Sequence, residues 1–343
     1  MRFAAVGLGW VTLNRHIPWL RRTEGAEVVG AVDRDADRVR HARRAHGIRL
    51  GAVASRVADI DWLSEIDAVT IGTAPMRHYE LARDFLVAGK DVLLEKPLTM
   101  LPREAADLVE TARAHARVLG VVHNFQFAPS VQRVHRLLRN GSLGSLREVW
   151  AMQLSSPGRR LPTWYEELPL GLFYDESPHF FYLMRHFLGD AVRVSAASIL
   201  PGSDGRRTPA SIAVQLDGGT APGRIDMHFE TPISEWHLMV VGSRKIAAID
   251  IFRDIAIVLP TDHEHRARDI LRTSVLGGAQ HAAGTAVSGL RHLTGRLAYG
   301  NDEVMRRFVS ACRHRTEPLR ISGRDGAAVV GLQHQVIDRA ARA

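Results

Sequence analysis

The first 123 residues alternate short apolar runs with amphipathic stretches. The runs lie at 3–6, 28–32, 68–71, 92–94 and 118–122, each of strand length. Between them, "DADRVRHARRAHG" and "MRHYELARDFLVAG" place apolar residues at helical spacing and end on Gly47 and Gly89, where helices commonly stop. "PREAADLVETARAHA" opens on Pro102, whose missing N–H is harmless in a first turn. Strands alternating with helices predict an α/β unit with a doubly wound parallel sheet.

After "NFQFAP" the period changes. One helix is predicted over 130–139, closed by Asn140 and Gly141. Then "REVWAMQLSS", "VRVSAASIL", "ASIAVQLD", "GRIDMHFE", "WHLMVVG", "KIAAIDIF" and "IAIVLP" alternate in twos, with "DGG" and "GSRK" as turns. Such a series predicts an α+β unit with a large, mostly antiparallel open sheet. A helix over 177–188 interrupts it, and helices over 265–276, 302–315 and 323–342 close the chain. The glycine-rich stretch 277–289 reads as a loop inside a helical insertion. Two domains are expected, 1–123 and 124–343, and 343 residues suffice for both. Met227, Phe229, Leu238 and Val240 lie in the apolar rows, and some of them are expected to cover the second sheet face against another copy.

Composition narrows the classes. Hydrophobic residues make up 45% of the chain, as in ordinary globular proteins. No apolar run reaches the roughly 18 residues of a membrane span. The opening "MRFAAVGLGW" runs at once into a strand and turn, so no signal peptide is read there. The single cysteine, Cys312, allows no internal disulfide and fits a cytoplasmic protein. The net charge is +8 and the pI about 10.3. The arginines are scattered and no basic run is interleaved with aromatics, so nucleic acid is not expected as a partner. His263 and His265 form an H-x-H pair without companion ligands, so no metal is expected.

Chemistry is concentrated at a few positions. Gly7 and Gly9 in "AAVGLGWVT" follow the first strand, where a dinucleotide turn needs a tight bend and close backbone approach; Thr12 stands where the pattern has its third glycine. An ordinary strand-to-helix turn also fits those glycines. The second strand ends on Asp33, 24 residues after Gly9, placed to accept both ribose hydroxyls of NAD and to repel a 2′-phosphate. Arg34 follows it and could hold that phosphate, so NAD is expected and NADP is the alternative. Of 45 basic residues only three are lysine (Lys90, Lys96 and Lys245), and Lys96 ends a core strand at "VLLEKPLTM". A compact ammonium there suits stabilisation of a developing alkoxide. Asp175 and His179 lie one helical turn apart and share a face.

The motifs "GLGWVT", "AVDRD", "IGTAPMRHYELA", "AGKDVLLEKPLT", "NFQFAP" and "GLFYDESPH" together resemble the Gfo/Idh/MocA family of NAD(P)-dependent oxidoreductases over nearly the whole chain. The resemblance implies an N-terminal Rossmann domain and a C-terminal α+β domain, with homodimers or homotetramers built through the open sheet. It implies that Glu95 and Lys96 lie at the cofactor, with Lys96 reaching the nicotinamide ribose and the reacting oxygen. His179 would be the general base for oxidation and the acid for reduction, and Asp175 would orient it or bind a substrate hydroxyl. Thr73, Pro75 and His78 match a loop under the nicotinamide, with Ala74 in place of a proline. Trp10, Asn124 and Trp164 match further cofactor positions, and Gln126 and Tyr165 are candidate substrate contacts where the family commonly has arginine. Pro169, Leu170 and Ser177 replace three family glycines, while Gly171 is kept. The implied activity is hydride transfer between nicotinamide and a secondary alcohol or ketone of a sugar, cyclitol or nucleotide-linked sugar. A redox-assisted glycosidase or lyase, and a non-catalytic sensor, would use the same fold.

Overall fold

A computed structural model describes residues 1–262 and 264–340, with the side chain of Asp204 left aside. The chain forms two compact units, one of residues 1–124 and 301–334, the other of 125–300 and 335–343.

The first unit opens with β1 (Arg2–Val6), a π-type turn (Thr12–His16) and α1 (Ile17–Arg22). It continues through β2 (Glu27–Asp33), α2 (Ala36–His46), β3 (Leu50–Val53), β4 (Ala68–Ile71), α3 (His78–Val87), β5 (Asp91–Leu94), α4 (Pro102–Ala114) and β6 (Leu119–Val121). The six strands are parallel in the order β3-β2-β1-β4-β5-β6. β1 is bordered by β2 on one side and β4 on the other, so strand order reverses beside it, and ligands of such sheets bind at that crevice. The core has two parts: Val69, Ile71, Val92 and Leu94 pack with Phe85 of α3 and Leu108 of α4, and Ala5 and Ala31 pack with Ile17 of α1 and Val39 of α2. β3 has no sequence signal of its own: Leu50–Val53 contains a glycine and no fully buried residue, and it forms by pairing with β2 at the edge.

The second unit begins with α5 (Pro129–Arg139), β7 (Leu146–Leu154) and α6 (Leu172–Leu188). β8 (Arg193–Leu200), β9 (Ser211–Asp217), β10 (Pro222–His228), β11 (Glu235–Gly242), β12 (Lys245–Asp250), β13 (Ile255–Pro260) and α7 (Ala267–Leu293) follow. The sheet order is β13-β12-β11-β7-β10-β9-β8, antiparallel except for β7 with β10. α6 lies on the inner face; its Phe173, Tyr174, Phe180 and Phe181 are fully buried, each contributing about 1.5–3 kcal/mol.

Four expectations are corrected. The chain does not keep 124–343 in one unit: α8 (Asn301–His314) and α9 (Gly323–Ala340, through His334) belong to the first. Phe308 packs on Phe3, the Arg315 guanidinium sits 2.9 Å from the buried Asp91 carboxylate, and the Val121 N–H donates to the Ile321 carbonyl. The helix carrying Asp175 starts at Leu172, not 177, because Gly171 turns the chain at φ +55 and the Thr208 hydroxyl accepts the Leu172 N–H. Pro178 therefore sits inside the helix and not in its first turn. Met227, Phe229, Leu238 and Val240 are all buried on the inner face, whereas Trp150 (40% exposed), Met152, Met239 and Ile246 (43%) form the outward row. Alternation marks two faces but does not say which one a helix covers.

The stretch 277–289 is the fourth: it is continuous helix within α7. Its glycines cost helix propensity, about 1 kcal/mol each against alanine. Gly284 repays this by close approach, since a Cβ there would stand 2.7 Å from Ile255 of β13. Gly278 and Gly289 face open space. Gly278→Ala and Gly289→Ala should each stabilise the unit by about 0.4–1 kcal/mol in denaturant unfolding. Gly284→Ala should destabilise it by about 1–3 kcal/mol through overpacking. Equal effects at all three positions would contradict the packing assigned to Gly284.

Candidate active site

The cofactor half is built at the carboxyl ends of β1, β2, β4 and β5. Gly7 has φ +77, and a Cβ on it would lie 2.5 Å from Thr73 Cγ2. A Cβ on Gly9 would meet only the Gly72 carbonyl, at 4.0 Å, so its backbone borders open space. Thr12 is buried, and its hydroxyl would meet a Cβ at Gly72 at 2.3 Å. The third glycine of the turn has thus been exchanged for a glycine on the facing strand end. Asp33 is buried and fixed: it accepts the Leu8 N–H at 2.7 Å on Oδ2 and the Asp35 N–H at 3.0 Å on Oδ1. Arg38 lies 4.0 Å from it, and Arg34 is exposed beside it. Trp10 is 48% exposed, with Arg15 over its ring. The hydroxyls of Thr12 and Thr73 are buried without partners among the described residues. A turn that only glycine can make, an open backbone edge, orphaned hydroxyls and a fixed acceptor fit a dinucleotide.

Glu95 and Lys96 follow β5. Glu95 Oε1 is 2.8 Å from His16 Nε2, and His16 Nδ1 is 2.7 Å from the Thr70 hydroxyl. A carboxylate needs a donor, so Nε2 carries the proton and Thr70 donates to Nδ1. Glu95 Oε2 accepts the backbone N–H of Lys96 at 3.0 Å. Burial pushes the Glu95 carboxyl up, but the His16 hydrogen bond, the Lys96 charge and the Lys96 N–H outweigh it and hold the group below the usual range. His16 escaped the sequence reading; only its place after the glycine turn signals it. His78 is in the scaffold and not at an open edge: it is fully buried, with Nδ1 2.8 Å from the Pro97 carbonyl and Nε2 3.1 Å from that of Thr73. Burial holds its imidazole below the ordinary value, the two carbonyls notwithstanding. It ties the loop of Thr73 and the buried Pro75 to the segment after Lys96. Asn124 is buried at the end of this unit.

In the second unit, every residue from Leu172 to Phe180 is buried except Asp175 and His179. Over this stretch the helix opens to its surroundings through those two side chains. His179 Nδ1 lies 2.8 Å from the Tyr182 hydroxyl, and its ring is flanked by Phe125 at 4.9 Å and Trp236 at 5.3 Å. Tyr182, Phe125 and Trp236 were missed because, even for Phe125 within "NFQFAP", only contacts made in the fold mark them out. Glu176, beside Asp175, is buried; burial pushes its carboxyl up, while contacts to Arg159 and Gln153 pull the other way. Trp164 and Tyr165 are half-exposed on the loop before α6, which Glu166 pins to Thr208. Gln126 is buried in the turn 125–127, and its carbonyl accepts from Gln132. Cys312 is buried, which pushes its thiol up, so it is no nucleophile.

Among the described residues no three His, Cys, Asp or Glu side chains gather as metal ligands, and His263 of the H-x-H pair lies outside them. Among the described residues no helix is long and apolar enough to cross a membrane.

Known proteins match both parts of the chain. Residues 1–123 match the GFO_IDH_MocA oxidoreductase family with its NAD-binding Rossmann fold, and residues 131–248 match the GFO/IDH/MocA C-terminal domain. The chain is 29% identical to D-apiose dehydrogenase of Paraburkholderia graminis over 57% of its own length and 52% of the relative's. It is 34% identical to dTDP-3,4-didehydro-2,6-dideoxy-alpha-D-glucose 3-reductase of Streptomyces antibioticus over 44% of its length and 45% of the relative's. The matched segments thus span about half the length of these relatives. The fold is shared with the WlbA dehydrogenase of Bordetella pertussis, solved with NADH and UDP-GlcNAcA, at a TM-score of 0.76 and 18% identity, covering 99% of this chain and 96% of that one. With both family domains matched in order, the chain belongs to the Gfo/Idh/MocA family of oxidoreductases, and its first unit is an NAD-binding Rossmann domain.

Proposed function

We propose that the protein is an NAD-dependent dehydrogenase or reductase acting on a secondary alcohol or ketone of a sugar, cyclitol or nucleotide-linked sugar. The observation that carries this reading is the opening of α6, where Asp175 and His179 alone emerge from an otherwise buried run. A merely structural helix has no need of an acid and a base at such a gap. Bound NAD supplies the hydride acceptor at nicotinamide C4. In oxidation the substrate O–H breaks, its proton passes to His179, and the carbinol hydrogen leaves as hydride. Lys96 stabilises the oxygen as negative charge develops, and Asp175 binds a neighbouring hydroxyl or the imidazole. Asp33, already fixed by two backbone N–H groups, accepts the ribose hydroxyls and disfavours a 2′-phosphate. The outward sheet row of Trp150, Met152, Met239 and Ile246 serves as the face for a second copy, with the Trp150 indole N–H held by Asp226 at 2.7 Å.

The test of activity is NADH absorbance with a panel of cyclitols, free sugars and nucleotide sugars. Oxidation should gain rate as pH rises through the ordinary imidazole range, around 6.5. Lys96→Ala should lower turnover by about two orders of magnitude, and His179→Asn should abolish the pH limb. Turnover in His179→Asn equal to wild type would remove the catalytic assignment, and no hydride transfer with any substrate would favour a sensor.

The cofactor choice is read by calorimetry. NAD should bind more tightly than NADP, and Asp33→Ser should weaken NAD by about tenfold or more as two ribose bonds are lost. Tighter NADP binding to the wild type would reverse the assignment. The oligomer is read by light scattering at micromolar concentration: a dimer or tetramer is expected, and Trp150→Glu should dissociate it. A wild-type monomer would leave the outward row without its proposed role.

A further inference from the structure

We infer that Tyr182 is a positioning residue that fixes which nitrogen of His179 exchanges the substrate proton; the inference rests on His179 being the acid and base proposed above. Tyr182 is buried on α6, three residues after His179, with its hydroxyl 2.8 Å from His179 Nδ1. The same oxygen accepts the backbone N–H of Phe125 at 3.0 Å. A backbone N–H can only donate, so it holds the phenol oxygen in place irrespective of the state of the imidazole. The Phe125 ring then lies 4.9 Å from the His179 ring, and Trp236 lies 5.3 Å from it. One residue, Phe125, thus anchors the phenol through its backbone and packs on the imidazole through its side chain.

The bond has a consequence for the proton. A neutral imidazole carries one hydrogen, and the nitrogen without it is the base. For Nε2 to accept the substrate proton, Nδ1 must hold the hydrogen and donate it to Tyr182 Oη. The phenol oxygen takes this second donor beside the Phe125 N–H. Nδ1 is thereby removed from proton exchange, and Nε2 is left as the single working atom. A ring flip would exchange the nitrogens and lose the bond, so the two flanking aromatics and the phenol oppose it together. A neutral phenol in this place also differs from a carboxylate: it orients the ring without placing a full negative charge against the imidazolium.

The tautomer is read directly by ¹⁵N NMR of histidine-labelled protein, with the His179 signals identified by their loss in His179→Asn. Above the titration of the ring, wild type should show a protonated Nδ1 and a bare Nε2. A protonated Nε2 would overturn the inference whatever the activity of the protein. Tyr182→Phe should move the ratio toward Nε2–H, lower kcat about tenfold with little change in KM for NAD, and shift the acidic limb of oxidation to lower pH as the imidazolium loses an acceptor. Tyr182→Phe with unaltered tautomer, kcat and limb would also overturn it. Should that variant fail to fold, the wild-type tautomer decides alone. Retained turnover in His179→Asn would instead remove the reading beneath the inference, so the two failures are distinct.

Discussion

A buried imidazole holds the cofactor half together. His16 bonds at one nitrogen to Thr70 of β4 and at the other to Glu95 after β5, while its own turn follows β1. Three strand ends are therefore tied at one ring. Glu95 passes the constraint on by accepting the Lys96 N–H, so the position of the lysine backbone depends on a histidine 80 residues earlier. The π-type turn Thr12–His16 explains how the ring gets there. Its wider spiral accommodates one more residue than an α-turn, which is a recurrent device near functional sites. Without His16 a largely buried carboxylate would lose the donor at Oε1, a penalty of about 1–3 kcal/mol.

The glycines that depart from the family pattern show where backbone geometry, and not residue identity, is held. Thr12 takes a glycine position because Gly72 yields the space opposite it. Leu170 takes another and still adopts φ +56, a left-handed conformation that costs a side-chain-bearing residue about 1–2 kcal/mol. The turn before α6 is kept despite that strain. Gly171 next to it could not be exchanged in the same way, since a Cβ would fall 2.0 Å from the Thr208 hydroxyl that caps the helix.

Much of this was legible in the sequence, and the reasons for the exceptions are physical. The strand at 68–71 and that at 255–260 coincide with their apolar runs because burial on both faces, or regular alternation, leaves a pattern. β3 leaves none, because an edge strand of Leu50–Val53 is set by its neighbour. The start of α6 was missed because Pro178 imitates a first turn, and its real cap is a hydroxyl 36 residues away. The glycines of α7 read as a loop because propensity is local, whereas the contact of Gly284 with Ile255 is not. The motif residues Gly7, Asp33, Lys96, Asp175 and His179 were visible as chemistry. Their supports, His16, Tyr182 and Phe125, were not, since a supporting residue is defined by what it touches.

Three histidines illustrate this last point and separate structure from catalysis. His78 lies buried between two carbonyl oxygens, and a second proton would place a charge where burial opposes it. His16 is held at both nitrogens, Nε2 by the Glu95 carboxylate and Nδ1 by the Thr70 hydroxyl, so neither is left to meet a substrate. His179 differs in its setting. It is half-buried beside Asp175 where α6 opens, and its Nδ1 partner is the Tyr182 hydroxyl. That oxygen can accept from Nδ1–H when the ring is neutral and, more strongly, when it is charged. The bond need not be remade as a proton comes and goes at Nε2, which is the condition a ring must meet to cycle between base and acid without disturbing the helix that carries it.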